Sequence, residues 1–339
     1  IGTIKSCNLY IEIMQYSDDK IYSVGNLASI AVNKFYNGTE YDYDGLREVA
    51  GHITNNLNRI IDINFYPTPE TERSNKQTRP IGVGIQGFAD LLALMKIPYD
   101  SSEALDISSR IMEAIYYGCL EKSCELAQKD GPYPMFANSP FSRGILQMDM
   151  WGDNFVSKLG LDWQGLKDKI CQYGTRNSLT TALMPTATTS QILGNNECFE
   201  PLTSNIYSRK TLAGNFVLLN KYLQKDLKEI GLWTDDIKME ITRGRGSIQR
   251  IHAIPEEIRN RYKTVWEIKQ KWLIDHALAR APFVDQSQSM NLYFSDPDVN
   301  KIMSAHFYGW TRGIKTGIYY LRTKPSVEAI QLIKDTNTN

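Results

Sequence analysis

The sequence predicts an α/β fold built on a mainly parallel sheet, either open or rolled into a barrel. Two observations carry this. Segments with apolar residues at helical spacing alternate with short apolar runs, and strands separated by helices pair in parallel because a crossover connection returns the chain in the same direction. The chain also has 339 residues, 42% of them hydrophobic, which suffices for one large domain or two ordinary ones with a proper core.

In chain order, YDGLREVAGHITNNLNRI has the apolar spacing of a first long helix. SSEALDISSRIMEAIYYGCLEKSCELAQKDG is a second, with Ser101 or Ser102 as cap and Gly131 as its end. PEEIRNRYKTVWEIKQKWLIDHALAR is expected as a third continuous helix, with Pro255 suited to its first turn. SDPDVNKIMSAHFYGWTRG is a fourth, with Asp296 as the expected cap before Pro297. The runs IGVGIQ, SLTTALM, NLYF and TGIYYL lie between these and are expected strands. In such folds functional residues gather in loops at the carboxyl ends of the strands.

Composition narrows the function. Lys plus Arg and Asp plus Glu number 38 each, so no broad field favours nucleic acid or a membrane surface. No apolar run approaches the ~20 residues of a membrane span, and the opening residues are not expected to be a basic-plus-apolar leader, a processed start staying compatible with them. The five cysteines (Cys7, Cys119, Cys124, Cys171 and Cys198) are odd in number and scattered, which points to a reducing compartment. A cytoplasmic location is expected, with an organelle matrix also compatible. The four histidines do not cluster, and no metal site is expected.

Four stretches draw attention. IGTIKSCNLYIEI crowds Cys7, Asn8, Tyr10 and Glu12 together, yet its alternating Leu9, Ile11 and Ile13 also suit one face of a strand. GVGIQG matches GxGxxG, but NKQTRP before it makes a poor strand; the better reading is a glycine-rich strand in close backbone contact, entering a helix at FADLLALMK. In MPTATTSQILGNNE, Pro185 ends an apolar run, hydroxyl residues follow, and QIL opens a helix. That is either an anion cradle or a capped helix start with solvated threonines. Tyr319 and Tyr320 are adjacent in TGIYYL; on a strand they face opposite sides, which favours packing over a shared role. Cys119 and Cys124 sit on different faces of one helix and are expected to be buried small apolar groups.

Taken together, GTIKSCNLYIEI, NLASIAVN, RPIGVGIQGFADLLALM, SRGILQMDMW, GTRNSLTTALMPTATTSQILGNNECFEPLTSNIYSRK, FVDQSQSMNLY and HFYGWTRGIKTGIYYLRTKP resemble, in order, the large catalytic chain of class I ribonucleotide reductase in its eukaryotic and viral form. The resemblance implies the second half of a ten-stranded α/β barrel with a central finger loop. It divides the chain into a finger-loop region at 1–25, a half-barrel with its surrounding helices at 26–325, and a polar tail at 326–339. The first half-barrel, the regulatory parts and the cysteine-bearing C-terminal tail of the family are expected to lie outside this chain.

The resemblance also implies site residues. Asn8 and Glu12 match the active-site amide and carboxylate, expected to bond the ribose and to act as base at its 3′ hydroxyl. Thr186, Ala187, Thr188, Thr189 and Ser190 match the loop that holds the substrate diphosphate. Tyr319 and Tyr320 match a pair that relays a radical from a small subunit, which would hold the radical cofactor; none is expected on this chain. Two positions depart from the pattern. Tyr10 stands where the family carries the cysteine that becomes a thiyl radical, and Gly25 where it carries one of two reducing cysteines. Cys7, three residues too early, is expected on the wrong face of a strand to substitute. A phenoxyl radical is too stable to take hydrogen from ribose, and Gly25 offers no electron.

The expectation is a reductase homologue that no longer reduces nucleotides and serves as a structural or regulatory component of a larger assembly. Its partners would be protein chains covering the missing half-barrel, a reductase small subunit, and a ribonucleoside diphosphate. Two alternatives stay open: a working catalytic fragment that makes deoxyribonucleotides with a small radical-generating subunit, and a nucleotide-binding module without turnover.

Overall fold

The structure is a computed structural model that describes residues 2–152, 157–211 and 214–324. The expected tail at 326–339 lies outside them.

Parallel strands form the centre. β1 (Leu27–Ala31) pairs in parallel with β2 (Gly82–Gln86), Leu27 opposite Gly82 and Ala31 opposite Gln86. On the other edge of β2, Val83 pairs in parallel with Thr181, and Leu183 pairs in parallel with Gln288 beyond it. β5 (Leu292–Phe294) then pairs in parallel with β6 (Leu321–Thr323). The extended segments thus lie side by side in chain order, and among the described residues they do not close into a barrel. A separate antiparallel hairpin joins β3 (Ile206–Thr211) to β4 (Gly214–Leu219). The reading of strands alternating with helices did not include it.

β2 shows why GVGIQG is rich in glycine. A Cβ on Gly84 would lie 2.7 Å from the Ala182 carbonyl oxygen, so the neighbouring segment approaches as closely as bare backbone allows. Gly87 has φ +77°, which favours glycine, and its N–H donates to the Asn196 carbonyl. The nucleotide motif is therefore a packing device.

Helices flank the strands. They are α1 (Tyr43–Ile63), α2 (Pro69–Thr78), α3 (Phe88–Met95), α4 (Ser102–Asp130), α5 (Trp163–Tyr173), α6 (Thr189–Leu193), α7 (Lys221–Glu229), α8 (Asp235–Arg243), α9 (Glu256–Arg261), α10 (Lys271–Arg280) and α11 (Val299–Thr311). α1 buries Leu46, Ala50, Leu57 and Ile61, one helical stripe. α4 begins as expected: the Ser101 side chain accepts from the Ala104 N–H, and Gly131 follows its last residue. Cys119 and Cys124 are buried within it, and α3 covers FADLLALM as expected.

Two expectations fail for identifiable reasons. The stretch from 255 to 280 is not one helix but α9 and α10 with an irregular link. Backbone groups in that link are taken by other segments: Asn205 donates to the Tyr262 carbonyl at 2.8 Å, and the Val265 N–H donates to the Leu202 carbonyl at 2.7 Å. The cap of α11 is Asp298 rather than Asp296; its Oδ1 accepts from the Lys301 N–H at 3.0 Å.

The main core lies between the parallel segments and α1, α3, α4 and α10, with Val83, Phe88, Ile111, Leu120, Leu183 and Phe283 all buried. A second, smaller core gathers α7, α8 and residues 248–262 around Leu223, Leu227, Ile241 and Tyr262. Among the described residues no helix is long and apolar enough to cross a membrane.

Candidate functional site

The segment from residue 8 to 15 is a turn, not a strand. The Ile11 N–H donates to the Asn8 carbonyl at 3.0 Å, and the Ile13 N–H to Asn8 Oδ1 at 3.0 Å. Ile11 sits at φ +63°, a costly conformation for a β-branched residue, so the turn is held against a local preference. The hydrophobic alternation of Leu9, Ile11 and Ile13 suits a strand, but the Asn8 side chain offers the backbone a competing bond. The strand-phase argument against Cys7 therefore does not apply to the observed geometry; Cys7 is partly buried just before the turn.

Gln286 anchors the turn. Fully buried, it accepts at Oε1 from the Met14 N–H and from Gln15 Nε2, both at 3.2 Å, and donates from Nε2 to the Ile81 carbonyl at 2.9 Å. The Ser287 N–H donates to the Glu12 carbonyl at 2.9 Å. The segment is thus tied to the chain entering β2 and to the chain leading to β5.

Glu12 is buried, and its Oε2 has no hydrogen-bond partner. Burial raises its pKa above the usual carboxylate range, opposed by a hydrogen bond with the Asn8 side chain. Asn8 and Glu12 therefore meet, and Asn8 also braces the turn. Gly25 is exposed just before β1; a Cβ there would lie 3.5 Å from Ile13 Cδ1, an ordinary contact. The position adjoins the finger turn and has room for a larger side chain.

Tyr10 is at the tip, 41% exposed. Its ring meets that of Tyr319 edge-on, centroids 5.2 Å apart at 83°. Tyr319 lies 3.9 Å from Tyr320, the planes inclined by 30°. The expectation that adjacent tyrosines face opposite sides is overturned because the pair precedes β6, in irregular backbone where alternation does not hold. The Tyr319 N–H donates to the Met290 carbonyl at 2.7 Å, and the Tyr320 N–H to Asn291 Oδ1 at 3.1 Å.

The threonine loop divides in two. Thr186 and Ser190 are buried: Thr186 Oγ1 accepts from the Cys198 N–H at 2.7 Å, and Ser190 Oγ donates to the Thr186 carbonyl at 2.5 Å. Ala187, Thr188 and Thr189 between them are exposed. The helix after them, α6, has five residues and no side-chain cap, too short for a macrodipole to add much to anion binding. What the loop offers is exposed hydroxyls and backbone.

A buried carboxylate links this loop to the tyrosines. Glu200 accepts from Tyr293 Oη at 2.7 Å and from Asn291 Nδ2 at 3.0 Å, while Asn291 Oδ1 holds Tyr320. Asn196 Nδ2 donates to the Glu200 carbonyl at 2.7 Å. Burial pushes the Glu200 pKa up to about 7 against the pull of those two side chains. Sequence reading missed Glu200, Gln286, Asn291 and Tyr293 as site supports. The available signal was amides and a carboxylate within apolar segments, where a buried polar group needs partners.

Comparison with known proteins follows the same residues. The sequence model of the family described as "Ribonucleotide reductase, barrel domain" matches residues 1–320. The chain belongs to the ribonucleotide reductase barrel-domain family. It is 53% identical over 335 residues to the ribonucleoside-diphosphate reductase large subunit of Variola virus, covering 99% of this chain and 43% of that protein. The large subunit of Caenorhabditis elegans is 51% identical over 338 residues, again covering 99% and 43%. The chain therefore spans less than half the length of these reductase relatives. Among solved structures, the α subunit of the Actinobacillus ureae class Id ribonucleotide reductase superposes with a TM-score of 0.76 at 24% identity, over 95% of this chain and 54% of that one. That likeness establishes a shared fold.

Proposed function

We propose that this chain is half of a ribonucleotide reductase barrel that has kept a nucleotide-holding loop and lost the sulfur chemistry of reduction. The observation that carries this reading is Tyr10, whose phenol ring occupies the finger tip against Tyr319 where the family resemblance calls for a cysteine. Tyr10 supplies no thiyl radical, and Gly25 supplies no reducing thiol. Asn8 and Glu12 stay paired beneath the tip. The exposed hydroxyls of Thr188 and Thr189, with Ala187 between the buried braces, are the groups that would meet a diphosphate.

The proposed role is structural or regulatory within a larger assembly. The outer edges of β1 and β6 carry no paired strand among the described residues, and Leu27 and Leu321 are exposed there. Open parallel edges of this kind need covering. Strands of another chain completing a ten-stranded barrel, and a reductase small subunit beyond the tyrosines, are the proposed partners.

Two measurements test the reading. Calorimetry with ribonucleoside diphosphates is expected to show binding that Thr188→Ala weakens. A reductase assay with an upstream half-barrel and a small subunit is expected to yield no deoxynucleotide; measurable product would overturn the loss of reduction. The second reading, a working catalytic fragment, rests on the retained Asn8–Glu12 pair and the tyrosine pair, and that product is what it requires. Tyr10→Cys with Gly25→Cys is expected to restore nothing unless the rest of the barrel is supplied.

A further inference from the structure

A pocket of about 740 Å³ is bordered by the loop after α8 and the end of β6, a size that suits a small molecule. Arg243, Arg245, Arg250 and Lys324 line it. Neighbouring cations are paired: Arg261 with Asp226 at 2.5 Å, and Lys263 with Asp100 at 2.8 Å. The side chains of the four in the pocket have no ion pair and no hydrogen bond among the described residues.

The loop that presents the arginines is fixed through its backbone, which leaves their charged ends free. The Gly246 N–H donates to the Ile241 carbonyl at 2.9 Å, and the Gly246 carbonyl accepts from Asn205 Nδ2 at 2.9 Å. Arg259 Nη1 donates to the Gln249 carbonyl at 3.0 Å, and Gln249 Nε2 donates to the Arg259 carbonyl at 2.7 Å. Arg259 thus shapes the loop, while Arg245 is held at φ +53°, a backbone conformation that side chains rarely adopt. A loop fixed before its ligand arrives loses little conformational freedom on binding. Two acids share the pocket. Glu267 is engaged by the Ser247 hydroxyl and the Thr264 N–H, whereas Glu240, exposed on α8, has no partner among the described residues. Four cations less two acids leave a formal surplus of two positive charges, in a chain whose total is zero.

We propose that this pocket binds a small polyphosphate, a molecule with two or more linked phosphoryl groups. A guanidinium meets phosphoryl oxygens through paired N–H donors, and cations contributed by two separate segments suit a chain of phosphates better than a single one. No aromatic side chain lines the pocket, so a nucleobase finds no stacking surface there and recognition rests on the phosphoryl groups alone. A free polyphosphate therefore fits this lining better than a nucleotide does. Bound there, it joins the loop after α8, which belongs to the smaller core, to the end of β6 in the parallel sheet. The pocket shares no lining residue with the threonine loop, and the proposal stands whether or not that loop holds a diphosphate.

The test is calorimetry of the whole chain with inorganic tripolyphosphate at low ionic strength, where exposed charges are least screened. Binding is expected in the parent and, with the same affinity, in Thr188→Ala. Arg243→Gln combined with Arg250→Gln is expected to weaken it roughly tenfold. Glu240→Gln removes an opposing charge and is expected to strengthen it about twofold. Adenosine triphosphate is expected to bind no tighter than tripolyphosphate. Absence of binding in the parent overturns the proposal, as does binding that the arginine substitutions leave unchanged. Binding lost in Thr188→Ala places the ligand on the threonine loop and overturns this site. Roughly tenfold tighter binding of adenosine triphosphate, the mark of base recognition, overturns the reading by phosphoryl groups alone. Should the arginine variant not fold, Glu240→Gln decides, and an affinity equal to the parent's overturns the site.

Discussion

The finger turn and the threonine loop manage polar groups in opposite ways. The finger is pinned by another residue's side chain, Gln286, and leaves two of its own groups unbraced: the buried Glu12 Oε2 has no hydrogen-bond partner and Tyr10 is exposed. The loop pins itself, Thr186 and Ser190 turning their hydroxyls inward, and leaves only its middle to solvent. The contrast separates braces from open groups, and it is open to direct attack.

The largest expected effect is at the finger's anchor. Gln286→Ala leaves the Met14 N–H, Gln15 and the Ile81 carbonyl without partners in a buried site, and is expected to cost roughly 3–4 kcal/mol in denaturant unfolding. An unchanged midpoint would mean the finger is not anchored there.

The next concerns the carboxylate that joins loop to tyrosines. Glu200 titrates near 4.5 when unfolded and at about 7 when folded. Between those values the unfolded chain binds fewer protons than the folded one, so stability falls as pH rises. The contribution is present below pH 4.5 and is lost by about pH 7, with a span of about 3 kcal/mol. Glu200→Gln is expected to flatten that part of a stability–pH curve. The raised pKa of Glu12 gives a slope of the same sign.

Third, Thr186→Val strands the buried Cys198 N–H and is expected to cost about 1–3 kcal/mol, whereas Thr188→Ala stays within about 0.5 kcal/mol in stability and acts on diphosphate affinity. Equal stability losses at the two positions would erase the distinction between brace and open hydroxyl. The smallest effect is expected for Gly25→Cys, within about 0.5 kcal/mol in thermal unfolding, because its Cβ meets Ile13 at 3.5 Å and its φ is not positive.

The sequence by itself determined the framework. Helical spacing placed α1 and α4, the short apolar runs IGVGIQ, SLTTALM and NLYF marked parallel segments while β1 was not read among them, and ordered motifs pointed to the family. These follow from local periodicity and from residue identity, which a linear string contains. Tertiary structure decided the rest. The span from 255 to 280 has helical periodicity, yet Asn205 and Leu202 claim its backbone and break it. Tyr319 and Tyr320 stack because they lie in irregular chain before β6, held by Met290 and Asn291. The meeting of Tyr10 with Tyr319, and the buried ties through Gln286 and Glu200, join residues hundreds of positions apart along the chain or on separate elements. Such partners are chosen by burial, since a polar group withdrawn from water must find whatever complementary atom the fold brings within reach.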